Sequence, residues 1–150
     1  MYRLLEISKA NDKESQAIYP FEDFTAMEAE YESKLGANMK SDSIQAEVLI
    51  MLDGSLGTIK VAKVGDSEIQ PRLIEVKTTD SEVADIMKYD TTQLVSANFH
   101  SRLGAAMKNE AVIIEMLKGI DGNGNEIEHR AWIRPVEPVE PQEEVEEQGE

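Results

Sequence analysis

The sequence predicts an α+β fold of two tandem β-β-α-β-β repeats, each with an antiparallel sheet covered by one helix. Residues 29–59 match residues 97–127 at a constant offset of 68, with twelve of 31 positions identical. Within each copy the apolar pattern also changes from short strand-like runs to a spacing of three or four residues and back. One helix cannot cover both faces of a sheet, so we expect the copies to pack into one domain with pseudo-twofold symmetry.

The first copy, residues 1–66, has four predicted strands around one predicted helix. The strands are short apolar runs bounded by turn residues, and they span residues 2–7, 16–19, 47–52 and 58–64. Pro20 is expected to end the second strand, and Asp53–Gly57 to form a hairpin turn. The helix is expected from Phe21 to about Lys40. Its predicted apolar face consists of Phe24, Met27, Tyr31, Leu35 and Met39.

The second copy, residues 67–134, repeats this order of elements. Its opening, Arg72–Val76, matches Arg3–Ile7 once a one-residue slip is allowed. The predicted strands span residues 72–76, 83–89, 112–120 and 126–134. Asp90 or Thr91 is expected to cap the helix between them. Its predicted apolar face consists of Val95, Phe99, Leu103 and Met107.

Residues 135–150 form an acidic tail with seven Glu, no Lys or Arg, and three Pro at a spacing of three. Such a composition cannot bury a core, so the tail is expected to be extended or disordered. The chain has a formal net charge of −15, and subtracting the tail's −7 leaves −8 on residues 1–134. This balance disfavours nonspecific binding to nucleic acid or to an anionic membrane through a general field.

The sequence contains no cysteine, which excludes disulfides, thiolate nucleophiles and cysteine-based metal sites. Its first residues lack the long apolar core of a secretory signal, and its longest apolar run is far too short to cross a membrane. We therefore expect the chain in the cytoplasm of the cell that makes it, or in a particle such as a virion that is assembled there.

Two pairs of residues at matching positions are candidates for a special role. Gly36 and Gly104 lie inside the predicted helices, where glycine costs about 1 kcal/mol relative to alanine. Close packing of the helix is the favoured explanation, and the approach of a ligand is the alternative. Glu47 and Glu115 lie in apolar strands and are expected to point to solvent. If the pseudo-twofold axis passes nearby, they face each other instead, which would raise one pKa or bind a cation.

No catalytic, metal or cofactor site is expected. Asp121–Glu126 resembles part of a calcium loop, but Glu126 stands where the loop needs glycine, so a hairpin turn is favoured. His100 and His129, the two histidines, have no histidine at the matching positions of the first copy. Neither a nucleophile motif nor a phosphate-binding loop is present.

Four residues are candidates for a protein interface: Trp132, His100, Arg102 and Lys34. Trp132, the sole tryptophan, is expected in the core or at an interface. Lys34 and Arg102 place matched cations on the two helices, as do Lys40 and Lys108 in the last turns. Positive charge there stabilises the helix dipole. Contact with an acidic partner or with the chain's own tail is the alternative explanation.

An aromatic-His-x-basic-hydrophobic-Gly-x-x-Met-Lys segment occupies residues 99–108, and a Gly turn and Trp132-Ile133-Arg134-Pro135 follow it. Together with the acidic Pro-rich tail, this pattern is similar to small proteins encoded by phages and prophages of gut Firmicutes, most of which have a single unit. Here the unit is duplicated, and the first copy has Glu32 in place of the histidine. The resemblance implies a phage-associated setting and no particular chemistry.

We expect a non-enzymatic structural or protein-interaction protein of phage or prophage origin, acting in a virion or its assembly. It would present sheet edges and its tail to a phage structural protein or a host protein, as a monomeric pseudo-dimer or a higher homo-oligomer. The alternative is an acidic host-directed inhibitor that mimics nucleic acid. A mimic needs a stripe of carboxylates on the folded body, whereas nearly half of the charge is in the tail. An enzyme is the least favoured class.

Overall fold

The computed structural model describes residues 1–54 and 57–133, which form eight β-strands and two α-helices. Helix α1 (Phe24–Lys40) lies between the second and third strands, and helix α2 (Thr92–Lys108) lies between the sixth and seventh. The strands are β1 (Tyr2–Ala10), β2 (Lys13–Phe21), β3 (Ala46–Asp53), β4 (Thr58–Val64), β5 (Arg72–Thr78), β6 (Glu82–Lys88), β7 (Ile114–Ile120) and β8 (Glu126–Ile133).

The strands form two antiparallel four-stranded sheets with the same internal order. The first sheet has the order β2-β1-β3-β4, and the second has the order β6-β5-β7-β8. In each sheet the first strand pairs with both the second and the third, so the two central strands have a neighbour on each side. The predicted α+β class is confirmed.

The central strands are buried on both faces because each face packs against a different layer. In β1, Leu5 and Ile7 belong to a buried cluster that also contains Ile74 and Val76 of the second sheet. Leu4, which points to the opposite face, instead packs in a cluster with residues of α1. A continuous apolar run such as that of β3 is typical of a strand that is buried on both sides.

Each helix contacts its own sheet through two large side chains one turn apart. Met27 and Tyr31 of α1 pack on the first sheet, and Val95 and Phe99 of α2 pack on the second. The side chain of Asp23 caps α1 and that of Thr91 caps α2, the latter by accepting the backbone N–H of Leu94 at 3.2 Å. Lys40 and Lys108 lie in the last turns, as predicted.

Several predicted boundaries and packing roles are wrong. Pro20 does not end β2, because β2 is an edge strand and tolerates a residue without an N–H. Met39 and Met107 lie outside the apolar helix faces, with 69% and 45% of their surface exposed. The predicted turn at 53–57 and the predicted tail at 135–150 fall partly or wholly outside the described residues.

The proposed reason for the two helix glycines is also wrong. A Cβ atom added to Gly36 or to Gly104 would meet no atom within 4 Å beyond the helix itself. Neither helix packs closely on another described element at this point. The repeated glycine therefore has a cause other than core packing.

Two ion pairs connect the sheets in a reciprocal way. Arg3 at the start of β1 pairs with Glu82 at the start of β6. Arg72 at the start of β5 pairs with Glu14 in β2, with 2.7 Å between the Nη2 and Oε1 atoms. These residues match each other in the two copies at offsets of 69 and 68, so each copy supplies one arginine and one glutamate to the other.

Breaking the Arg72 pair is expected to destabilise the protein far more than breaking a surface pair. Arg72 is 1% exposed and also donates to Gln16 Oε1 and to the carbonyl of Gln70. Arg72→Ala should lower the free energy of unfolding by about 3–5 kcal/mol in denaturant titration, since it leaves Glu14 without its cation. The control is Lys60→Ala, which removes two exposed ion pairs, with Glu28 and with Glu32, and should cost about 1 kcal/mol or less. Equal effects of the two variants would contradict this account.

Candidate functional site

A pair of glutamates on neighbouring central strands lies between each sheet and its helix. Glu6 of β1 and Glu47 of β3 form the first pair, and Glu75 of β5 and Glu115 of β7 form the second. Glu6 lies opposite Leu49, and Glu75 lies opposite Leu117, so each partner glutamate is a diagonal neighbour on the same face. Glu47 and Glu115 have no exposed surface at all.

Polar side chains surround the first pair. The Glu6 Oε1 atom accepts from the Tyr19 hydroxyl at 3.1 Å and from the Lys34 ammonium at 3.4 Å. The amide of Asn38, on the last turns of α1, donates to Glu47 Oε2. Among the described residues, no N–H or hydroxyl group donates to Glu47 Oε1.

The second pair has a cation but fewer hydrogen bonds. The Arg102 guanidinium donates to Glu75 Oε1 at 3.0 Å, and the Lys77 ammonium lies 4.0 Å from Glu75 Oε2. Neither oxygen of Glu115 receives a hydrogen bond from any N–H or hydroxyl group in the described part of the chain. An ionised, fully buried carboxylate in this state would be very costly.

Each pair avoids that cost by retaining a proton. Burial, followed by the hydrogen bond to Glu6 and the repulsion from its charge, raises the pKa of Glu47 to about 8. Burial and the corresponding effects of Glu75 raise the pKa of Glu115 to about 9, against the opposing influence of Lys77 and Arg102. At neutral pH the protonated member of each pair donates to its partner, so one carboxylate is charged and the other is neutral.

Two cavities adjoin the second pair, and Glu75, Lys77 and Arg102 line both. One has a volume of about 110 Å³ and reaches Ala106 near the end of α2. The other has a volume of about 250 Å³ and reaches Val83 on the edge strand β6. The charged groups of the second pair therefore border space that small molecules can enter.

A larger cavity, of about 520 Å³, lies where the two copies meet at the start of α2. Its lining is acidic, and Lys9 is the one lysine or arginine among the described residues that line it, beside Glu14, Glu68, Asp90 and Asp121. Asn123 donates to Glu68, and Gln70 donates to Asp90, so neighbouring side chains already engage these acids. In the described ranges, no group of three or more acidic or histidine side chains is placed to hold a metal ion.

The predicted outward orientation of Glu47 and Glu115 is wrong. Both point inward under a helix, and each meets a glutamate of its own copy instead of its counterpart across an axis. Glu6 and Glu75, the other members of the pairs, and Asn38, which donates to Glu47, were not predicted from the sequence. The one-residue slip that aligns Glu6 with Glu75 could have revealed the two glutamates, because it shows a second matched acid in each copy, whereas it gives no sign of Asn38.

The four candidate interface residues lie in different surroundings. Lys34 and Arg102 bind the buried pairs and are not simply surface cations. His100 is exposed, and its Nε2 atom lies 2.8 Å from Glu128 Oε1. Trp132 belongs to β8 and its backbone lies opposite Glu115, while its side chain falls outside what the structure describes.

The Asp121 turn is a hairpin turn, as predicted. The Asp121 Oδ1 atom accepts the backbone N–H groups of Asn123 and Asn125, each at 2.9 Å, and so closes the turn between β7 and β8. In the described part of the chain, no helix is both long enough and apolar enough to cross a membrane.

Comparison of the chain with protein-family models, with curated proteins and with solved structures finds no match in any of the three. The resemblance to phage-encoded proteins stays a prediction.

The retained protons predict how stability depends on pH. The unfolded chain releases these protons near pH 4.5, whereas the folded chain holds them up to about pH 8 and pH 9. The free-energy contribution of both sites is therefore fully present below about pH 4.5 and is lost as pH rises through the folded values. Glu47→Gln combined with Glu115→Gln should remove this loss, since the neutral amide replaces the protonated carboxyl.

The expected gain at about pH 9 is roughly 1–3 kcal/mol per site in free energy of unfolding, with little change at about pH 4. Denaturant titrations across this range measure it. Glu110→Gln, which changes an exposed glutamate just after α2, is the matched control and should change stability by no more than about 0.5 kcal/mol at any pH. If the free energy of unfolding depends on pH in the same way in the wild type and in the double variant, the pairs do not retain protons.

Proposed function

We propose that the chain is a non-enzymatic protein-interaction protein of phage or prophage origin that acts in a virion or in its assembly. Its architecture, in this proposal, is a tandem duplication of one β-β-α-β-β unit, with one helix covering each sheet and a pseudo-twofold axis between the units. The order of elements is the same in residues 1–66 and 67–133. The reciprocal pairs Arg3–Glu82 and Arg72–Glu14 support the axis, since an isologous interface repeats every contact with the roles exchanged.

The interaction role is inferred from the outer faces of the two helices. Seven positions are identical between residues 29–40 and 97–108, and none is fully buried, although Leu35 and Leu103 pack against the core under their helices. The residues that the helices bury in the core differ instead: Met27 and Tyr31 correspond to Val95 and Phe99, and α2 also buries Ala106. The seven shared positions of the first copy are Ala29, Ser33, Leu35, Gly36, Ala37, Met39 and Lys40.

Within the two helices, identity at mostly exposed positions and divergence at buried ones is the reverse of what folding alone requires. Core packing restricts buried residues, whereas an exposed helix position accepts most residues at a cost below about 1 kcal/mol. The shared glycine in each helix even lowers helix stability. A common surface on two helices is best explained by a common partner that contacts both.

The chemistry of this surface indicates what the partner carries. Ala29, Ala37 and Gly36 leave a shallow face that another protein can approach closely, and the exposed Met39 offers an adaptable apolar contact. Lys40 adds a positive charge beside it. The partner should therefore present an apolar patch with acidic groups at its margin, and one chain should bind it at two equivalent faces.

The test uses purified proteins encoded by the genes on either side of this one. Photo-crosslinking residues are placed at Ala37 and at Ala105, which are exposed and equivalent in the two helices. Both should crosslink to the same segment of one structural protein. Asp80, exposed in the turn between β5 and β6, is the control position and should not crosslink to it.

Met39→Glu combined with Met107→Glu should weaken binding to that partner by about tenfold or more, because it places charge on both apolar faces. Crosslinks from the two helices to unrelated segments would contradict a shared surface.

Binding to a host DNA-binding protein that persists after residues 135–150 are deleted would instead support the acidic inhibitor and overturn the structural role.

A further inference from the structure

Three residues beside the second glutamate pair differ in chemistry from their counterparts in the first copy. They are Lys77, Val83 and Asp85, and the matching residues of the first copy are Ser8, Ser15 and Ala17. The strand registers give the same match, because Asp85 lies opposite Glu75 as Ala17 lies opposite Glu6. Two serines that hydrogen-bond to each other and an alanine are thus replaced by a cation, an apolar residue and an anion.

The three side chains point to the face of the second sheet that α2 contacts. Residues directly opposite each other in an antiparallel pair share one face, and so do residues two apart on a strand. Lys77 follows Glu75 at a spacing of two, and Val83 lies opposite Lys77. The three line the cavity of about 250 Å³, together with Glu75, Thr79 and Arg102. The divergent residues therefore meet in one open space.

The lining of this cavity carries both a positive and a negative charge that a ligand can reach. The Arg102 guanidinium donates to Glu75 Oε1 through one of its N–H groups, and the Lys77 ammonium lies 4.0 Å from Glu75 Oε2. Two cations thus share one carboxylate, and the side chains of both are 40% exposed. Asp85 is exposed as well, on the edge strand β6. The surplus positive charge and the charge of Asp85 both face the cavity.

The cavity also has an apolar contact and room for a small molecule. Val83 is a large apolar side chain with 53% of its surface exposed. A volume of about 250 Å³ corresponds to about eight water molecules at roughly 30 Å³ each, so a ligand with about eight non-hydrogen atoms fits. Such a ligand is large enough to contact the charged groups and Val83 at once.

We propose that this cavity is a binding site for a free α-amino acid with a small aliphatic side chain. The carboxylate of the ligand binds the Lys77 ammonium and the Arg102 guanidinium. Its ammonium group binds the Asp85 carboxylate, and its side chain packs on Val83. None of the six residues that line the cavity is among the seven positions that the two helices share. The site is therefore independent of the proposed protein-binding surface.

A zwitterion fits this cavity better than an ion of single charge does. A simple anion would be attracted by the two cations but repelled by Asp85 and Glu75. A simple cation would be attracted by Asp85 but repelled by Lys77 and Arg102. These interactions are stronger near a protein surface than in bulk water, so the penalty for an unmatched charge is larger there. An amino acid matches both signs.

L-Valine, which is of the required size, is the test ligand, and amide chemical shifts of the isotope-labelled full chain are the readout. Saturable shifts are expected at Lys77, Val83 and Asp85, with a dissociation constant on the order of 1 mM. Isovalerate is valine without the ammonium group, and isobutylamine is valine without the carboxylate. Each should bind at least about tenfold more weakly than valine. Unsaturable shifts with valine, or equal binding of either analogue, would overturn the proposal.

Two variants introduce the residues that the first copy has at the matching positions. Asp85→Ala should weaken valine binding by about tenfold or more without weakening isovalerate binding, because it removes only the partner of the ammonium group. Lys77→Ser should weaken the binding of both ligands, because it removes a partner of the carboxylate. The amide spectrum of each variant reports directly whether it is folded.

The matched controls remove the same charges outside the cavity. Asp80→Ala changes an exposed acid in the turn between β5 and β6, and Lys88→Ser changes an exposed lysine of β6. Neither residue lines the cavity, so both variants should bind valine as the wild type does. Valine binding that is unchanged in either Asp85→Ala or Lys77→Ser would place the ligand elsewhere and overturn the proposal.

Discussion

A proton shared by two glutamates on neighbouring strands is the interaction on which the packing of each helix depends. Four glutamates lie between the sheets and the helices, in positions where apolar residues would normally stand. If all four were ionised, each pair would place two negative charges side by side in a space with little water. Retaining one proton per pair removes the repulsion and leaves a single charge, which Lys34 or Arg102 of the covering helix binds. In each copy the helix thus supplies the cation that pairs with the charged member of the glutamate pair.

The two sheets are joined by apolar packing and are oriented by charge. The shared cluster includes Leu5 and Ile50 of the first sheet and Ile74 and Met116 of the second, and it supplies the area that holds the layers together. Apolar contacts alone do not fix one arrangement of two flat layers. The reciprocal arginine–glutamate pairs at the margin do so, because each requires one strand end of one copy to reach the edge strand of the other.

The α+β class and most elements could be predicted from the sequence, since apolar spacing reports directly on local structure. Thr58–Val64 was predicted to the residue, whereas β2 was predicted too short because Pro20 suits an edge strand, and edge position is a tertiary property. The inward direction of Glu47 was missed because a lone acid in an apolar strand normally faces water. Only the register that places Glu47 beside Glu6 on the neighbouring strand shows that Glu47 faces inward. The outward direction of Met39 was missed because its spacing fits the predicted apolar face of the helix. That face ends one turn earlier.

The most direct test of the central claim is the titration of the individual glutamate side chains by carbon-13 NMR of their carboxyl groups. The carboxyl signals of Glu47 and Glu115 are predicted to change with midpoints near pH 8 and pH 9. Ordinary midpoints for Glu47 and Glu115 would contradict the account. They would mean that the pairs hold no proton at neutral pH and that the helices are held over them by other forces.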